Sequence, residues 1–195
     1  YLDGTTDITR TIAIGTPPRE ACVAFTRVLM GMIAMSRLRW PEGLAGRDIE
    51  MIGRLPLWMA GQDFDHGLGH GVGAYLSVHE GPQRLSRASN VPLQVGMILS
   101  NEPGYYREGE FGIRIENLIV VEEAPALTGG DGHRAMLNWR TLTFAPIDRR
   151  LMVTEMLDAE SRTWLNAYHA KTLEYLADRV SENAAKWLTA ATRPM

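Results

Sequence analysis

Three of the five histidines, His66, His70 and His79, fall within one 14-residue window. It begins His66-Gly67-Leu68-Gly69-His70-Gly71-Val72-Gly73. The 66/70 spacing matches a helical zinc pair. Four interleaved glycines would each cost a helix about 1 kcal/mol, however, and no Glu follows His66. Gly69-x-Gly71-x-x-Ala74 has the outline of a dinucleotide fingerprint, which needs a helix opening at its glycines. A β-branched run closed by Gly81-Pro82 leaves no room for one. What remains is either a histidine-bearing surface loop or irregular backbone that lets imidazoles approach one centre closely.

Carboxylates change that balance. In Asn101-Glu102-Pro103-Gly104-Tyr105, proline holds Glu102 extended. Fixed at a strand end, Glu102 is either a turn residue or a ligand. In Gly112-Ile113-Arg114-Ile115-Glu116-Asn117, strand alternation places Arg114 and Glu116 on one face. Leu118 and Val120 continue that face, so it is expected to be buried. A buried carboxylate needs a partner or a metal, and Arg114 is the bland partner. Asp7, just before a β-branched run, is a further candidate. One imidazole with three carboxylates is a hard donor set, suited to Mn²⁺, Co²⁺, Fe²⁺ or Zn²⁺. Carboxylates also bridge cation pairs about 3.5–4 Å apart in two-metal hydrolases.

These residues need elements to position them. Residues 9–14 read as a strand. Thr16 followed by Pro17 reads as a helix start. Ala21, Phe25, Val28, Met32 and Met35 then form an amphipathic stripe running to about Arg37. A second helix is expected at 47–60, kinked at Pro56. Strands follow at 72–78, 97–100, 112–121 and 141–144, with an exposed loop at 122–138. Helices return at 163–178, with Trp164, Leu165 and Tyr168 on the apolar face, and at 184–189, with Trp187 and Leu188. The order implies an α+β fold, a curved and largely antiparallel sheet with helices on its outer face. A catalytic domain is expected at 1–150 and a packed helical extension at 151–195.

Composition narrows the class. The 195 residues are 45% hydrophobic and 22% charged, with net charge −3, which suits a globular domain. No basic surplus points to nucleic acid. No apolar run approaches the ~18 residues of a membrane span. A single cysteine, Cys22, excludes an internal disulfide and a structural Cys-zinc site; it reads as a small buried hydrophobe. A cytoplasmic setting is expected. The opening Tyr1-Leu2-Asp3-Gly4, without an initiator Met, reads as the interior of a longer polypeptide.

Five segments in order resemble one family. They are Tyr1–Thr11 (Tyr-x-Asp-Gly-Thr-Thr-Asp-Ile-Thr-Arg-Thr), His66–Gly73, Val78–Pro82 (Val-His-Glu-Gly-Pro), Asn101–Tyr106 and Gly112–Asn117. Together they resemble the catalytic domain of Xaa-Pro aminopeptidase, which has the pita-bread fold of the creatinase/aminopeptidase family. Trp164-Leu165-Asn166-x-Tyr168-His169 and the ending Trp187-Leu188…Thr192-Arg193-Pro194 resemble the branch with a long C-terminal extension.

The resemblance implies hydrolysis of the first peptide bond of substrates with proline at position two. It implies a pair of Mn²⁺ ions, with Co or Zn as substitutes, and a homodimer. Asp7 and Glu116 match bridging carboxylates, and His70 and Glu102 match terminal ligands of one ion. His66 and His79 match histidines that contact substrate and assist proton movement. Glu102 matches a proton shuttle, and Arg114 a residue orienting the bridging Glu. The fifth ligand, an Asp eleven residues before Asp7, has no counterpart here. An N-terminally incomplete fold with one weakened metal site is therefore expected. Rivals sharing the fold are prolidase, methionine aminopeptidase, and a non-catalytic peptide- or protein-binding module or inactive fragment.

Overall fold

The computed structural model describes residues 2–75 and 77–195. Tyr1, which opens the first motif, and Leu76, inside the expected strand 72–78, lie outside the described residues.

Helix α1 (Arg19–Ser36) is the spine of the core. Phe25, Val28, Leu29, Met32, Ile33 and Met35 are all fully buried. A helix that is apolar nearly all round must be covered on several sides. Burying each such side chain stabilises by about 1.5–3 kcal/mol. Cys22 is buried on the same helix. Thr16 does not cap it: Pro18 is the N-cap, with no side-chain cap bond. Thr16 and Pro17 each precede a proline, which excludes them from helical backbone. Helices α2 (Gly46–Ile49) and α3 (Met51–Trp58) replace the single expected helix. The joint falls at Glu50, where Gly53 N–H makes a tight bond to the Glu50 carbonyl at 3.2 Å. The helix continues through Pro56.

Among the described residues eight strands follow: β1 (Arg39–Pro41), β2 (Gly69–Val72), β3 (His79–Leu85), β4 (Ile98–Asn101), β5 (Gly104–Arg107), β6 (Phe111–Arg114), β7 (Asn117–Glu123) and β8 (Met136–Thr141). Six form one sheet in the order β1-β8-β7-β4-β2-β3, and β5 pairs with β6. All these pairings are antiparallel. The α+β architecture is as the sequence implies. Helix α1 packs on α3 and reaches strands of both sheets. Trp40 and Trp139, with ring centroids 4.4 Å apart, fill the β1–β8 end.

Several boundaries differ from the sequence reading. Residues 9–14 form no strand: only Thr9 bridges, to Glu116. Side chains meet some of the backbone groups there. Asp148 accepts the Ala13 N–H at 2.9 Å, and Arg150 donates to its carbonyl at 2.8 Å. Ile12 and Ile14 stand exposed. Of the expected strand 72–78, Val72 ends β2 and the described residues 73–75 and 77–78 are not strand, with Gly73 N–H on the Val78 carbonyl at 3.3 Å. Strand β3 escaped sequence reading because glycine and proline hide its alternation. The expected strand 112–121 is two strands of different sheets. The chain crosses between them at Ile115 and Glu116, where Glu116 N–H bonds the Thr9 carbonyl at 3.0 Å. The loop shrinks to 124–135, because β7 and β8 stay paired as far as Glu123 and Leu137. Strand β8 accordingly precedes the expected 141–144.

The tail is helical and packed. Helix α4 (Ala159–Leu176) is capped by Asp158, which accepts the Ser161 N–H at 2.6 Å. Leu165, Tyr168, His169 and Thr172 form its buried stripe. Trp164 stacks on Tyr168, centroids 5.1 Å apart. His169 Nε2 accepts the Ile147 N–H at 3.1 Å. Burial pulls the His169 imidazole down to about 4. Helix α5 (Glu182–Ala191) buries Leu188, whereas Trp187 stays 62% exposed. Only one face of this short helix meets the rest of the chain.

Gly31 of α1 lies where an added Cβ would stand 2.0 Å from the Gly53 carbonyl oxygen of α3. Gly31→Ala is expected to destabilise by about 1–3 kcal/mol through forced separation of the two helices. A urea midpoint at or above wild type, with unchanged m, would contradict this contact.

Candidate metal centre

Four segments deliver the site. The extended N-terminal segment is held by alternating threonine hydroxyls. Thr5 donates to the Gly73 carbonyl. Thr9 donates to Glu116 Oε2 at 2.5 Å. Thr11 both donates to the Arg114 carbonyl and accepts its N–H at 3.0 Å. Asp7 is thereby placed against β2 and the β6–β7 crossing. His70 sits on β2, where Gly69 and Gly71 permit approaches no side chain would allow. A Cβ at Gly69 would lie 1.9 Å from the Ser100 carbonyl oxygen, and one at Gly71 would lie 2.1 Å from that of Glu80. Glu102 follows β4, its N–H bonded to the Leu68 carbonyl at 2.8 Å. The preceding Asn101 is tied into α1, donating to the Met32 carbonyl at 2.9 Å.

Asp7, His70 and Glu116 offer ligand atoms all within 4.8 Å of one another. His70 Nε2 is 3.2 Å from Asp7 Oδ2 and 3.3 Å from Glu102 Oε1. His70 Nδ1 lies 2.9 Å from the Gly71 carbonyl. A carbonyl only accepts, so Nδ1 carries the hydrogen and Nε2 is left to face two carboxylates. A proton or a cation between them relieves the repulsion. Ser100, fully buried, accepts the His70 N–H at 2.9 Å and donates to Glu102 Oε1 at 3.0 Å.

The electrostatics agree with this geometry. Burial pushes Glu116 up to about 7, and the negative charges of Glu102 and Asp7 add to the shift. Burial, with Asp7 nearby, also raises Glu102 against the opposing Ser100 bond and Arg114 charge. This donor set therefore fits a divalent cation.

His66, His79 and Arg114 line one open cavity of about 450 Å³ with His70 and Glu102. The His70 and His79 rings meet edge-on, centroids 4.0 Å apart. His66 Nδ1 donates to the Gly67 carbonyl at 2.7 Å, and Nε2 accepts from the Tyr106 hydroxyl at 2.8 Å. Tyr106 in turn accepts from Arg114 Nε at 2.9 Å. Burial holds the His66 imidazole below its usual range, and the Arg114 and Arg54 charges act the same way. Arg114 Nη1 reaches Glu102 Oε2 at 3.5 Å. Among the described residues no ion pair joins it to Glu116, the neutralising partner that strand alternation suggested. A larger cleft of about 580 Å³ runs along loop 124–135 and contains no histidine.

Sequence reasoning missed four residues here. Ser100 was legible, since strand alternation puts it on one face with Glu102. Tyr106 lies across a turn, where no period applies. Arg54 pairs with Glu50 at 2.9 Å, a readable i,i+4 spacing. Its grip on the Phe64 and His66 carbonyls, at 2.7 and 2.6 Å, is tertiary. Arg10 bonds the Glu116 carbonyl at 2.7 Å.

Residues 1–123 match the description "Metallopeptidase family M24", and residues 135–195 match "C-terminal region of peptidase_M24". The chain belongs to metallopeptidase family M24 and carries the fold of its aminopeptidase P branch. It is 43% identical over 198 residues to Aminopeptidase P1 of Arabidopsis thaliana, covering 100% of this chain and 30% of the relative. Aminopeptidase P2 of the same plant is 46% identical over 200 residues, with 28% of its length covered. The chain thus spans about 30% of the curated relatives it matches. An X-prolyl aminopeptidase from Caenorhabditis elegans, described as a cytosolic enzyme with a di-nuclear active site, superposes with TM-score 0.91. It is 38% identical, over 98% of this chain and 32% of that one. An Xaa-Pro dipeptidase from Bacillus anthracis reaches TM-score 0.58 at 30% identity, over 73% of this chain and 36% of its own.

A carboxyl raised from 4.5 to about 7 keeps its proton in the folded state after the unfolded chain has lost it. Its contribution therefore falls as pH rises through that window. In chelator, wild type is expected to lose Tm relative to Glu116→Gln between pH 4.5 and pH 7. Parallel profiles would mean that Glu116 is not held in a negative field.

Proposed function

We propose that this chain carries the metal centre of an Xaa-Pro aminopeptidase, which releases the first residue of peptides with proline at position two. The observation that carries the reading is His70 Nε2 facing the Asp7 and Glu102 carboxylates, with buried Glu116 completing the cluster. Similarity to the aminopeptidases P over the whole chain supports it. Prolidase is the second reading, but the dipeptidase superposition leaves out more of this chain.

Asp7, His70, Glu102 and Glu116 would hold the divalent metal. Manganese is the metal we favour, with cobalt or zinc able to occupy the same hard donors. When bound, such ions supply Lewis acidity and acidify water. Glu102, raised by burial and hydrogen-bonded by Ser100, is suited to carry a proton to the departing proline nitrogen. His79, beside His70 at the cavity wall, would donate to the oxygen that gains charge on the scissile carbonyl. His66, its Nδ1–H committed to Gly67, would take part through Nε2, which Tyr106 holds. Arg114 holds Glu102 and Tyr106 together at the same wall. Proline lacks an N–H and has a fixed φ, so its recognition relies on shape.

In the same reading, residues 1–150 are the catalytic domain and 151–195 the extension. The protein acts in the cytoplasm as a homodimer. The single buried cysteine and the cytosolic description of the nematode relative support that setting.

Metal analysis after dialysis tests the ligand set. At least one ion is expected to be held tightly per chain, because Asp7, His70, Glu102 and Glu116 would supply four donors to one centre. Asp7→Asn and Glu116→Gln should each lose it. His79→Ala should keep the metal and lower kcat by about 10²–10³-fold. Ala-Pro-Ala should be cleaved and Ala-Ala-Ala spared. Turnover confined to the dipeptide Ala-Pro would favour prolidase.

A further inference from the structure

Arg10 is half-buried where the N-terminal segment, the start of β7 and helix α4 meet. Together with its neighbour Thr9 it meets the backbone N–H, the carbonyl and one carboxylate oxygen of Glu116. The Thr9 carbonyl accepts the Glu116 N–H at 3.0 Å. The Thr9 hydroxyl donates to Glu116 Oε2 at 2.5 Å. Arg10 Nη1 donates to the Glu116 carbonyl at 2.7 Å. The rest of the guanidinium faces away from the cluster. Nη2 donates to Asn117 Oδ1 at 2.6 Å, to the Tyr168 hydroxyl at 2.7 Å and to the Ala145 carbonyl at 3.1 Å. Nε donates to the Pro146 carbonyl at 3.2 Å.

Tyr168 is 5% exposed and lies on α4, 158 residues from Arg10 in sequence. Its hydroxyl also accepts the Ala145 N–H at 3.1 Å, and the Thr143 carbonyl lies 3.1 Å away. The ring is held separately, stacked on Trp164 and on Phe144 at centroid distances of 5.1 and 5.7 Å. The hydroxyl has a fixed place even before Arg10 meets it. A guanidinium spread over so many fixed acceptors has little freedom to turn.

We propose that Arg10 and Tyr168 are positioning residues of the metal centre, through which helix α4 sets the backbone and carboxylate of Glu116. The proposal rests on the metal-centre reading above and gives the C-terminal helices a part in it. Outer partners that orient a ligand typically change metal affinity 10–100-fold when removed. A simple staple between tail and core would lower stability and leave affinity alone.

Tyr168→Phe removes the hydroxyl and keeps the stacked ring. Leu165→Ala, at a fully buried position on the same helix, loosens α4 without touching Arg10. Cobalt affinity and the Co²⁺ ligand-field spectrum would be measured well below each Tm. Amide exchange at Glu116 would be followed in chelator. Tyr168→Phe is expected to weaken cobalt binding at least tenfold, to shift the spectrum and to speed Glu116 exchange. Leu165→Ala is expected to lower Tm alone. Unchanged affinity, spectrum and exchange in Tyr168→Phe would overturn the proposal. So would equal changes in both variants, which belong to a staple. If wild type bound no cobalt, the metal reading would fail, while Glu116 exchange would still decide the coupling.

Discussion

Negative charge confined around one imidazole is the constraint on which this structure turns. Asp7, Glu102 and Glu116 converge on His70, and both glutamates are buried. Like charges in such a space repel, and desolvation adds to the cost. The protein meets part of that cost by letting a carboxyl keep its proton, as the position of Glu116 near 7 indicates. A bound cation would replace that proton and return the cluster to attraction. Family membership and the site's chemistry thus lead to the same place from independent directions.

Holding such a cluster requires backbone that comes unusually close and hydroxyls that bridge. Glycine supplies the first: at Gly69 and Gly71 a Cβ would overlap neighbouring carbonyl oxygens. Ser100 and Thr9 supply the second. Ser100 fixes the distance between His70 and Glu102. Thr9 is the one described donor to the Glu116 carboxylate. These short polar side chains lose little rotamer entropy on ordering, which suits a site whose geometry has to be rigid.

Two arginines act at longer range and by the same means. Arg54 reads the carbonyls of Phe64 and His66 and stacks over the Phe64 ring at 4.0 Å. It thereby aims the histidine on the cavity's open side. Arg10 reads the carbonyl of Glu116 on the buried side. Each is anchored in a helix far from the cluster, through Glu50 of the α2–α3 joint in one case and Tyr168 of α4 in the other. The helical layer is therefore mechanically continuous with the site.

The sequence by itself determined which histidines and carboxylates come together, that the donor set is hard, and that the fold is α+β. Glycine spacing, the Glu102-Pro103 turn and the motif order are local signals, and local signals survive in a linear chain. It also determined the helical stripes of α1 and α4, because 3.6-residue periodicity is local. Only the tertiary structure decided that 9–14 gives up its ladder to side chains, that 112–121 splits between two sheets, and that Arg114 meets Glu102. Each depends on partners that the chain brings in from elsewhere, and no period encodes which partner arrives first. Arg10 and Tyr168 are the extreme case: 158 residues apart, they share a hydrogen bond because the folded chain returns its last helices to the segment where it began.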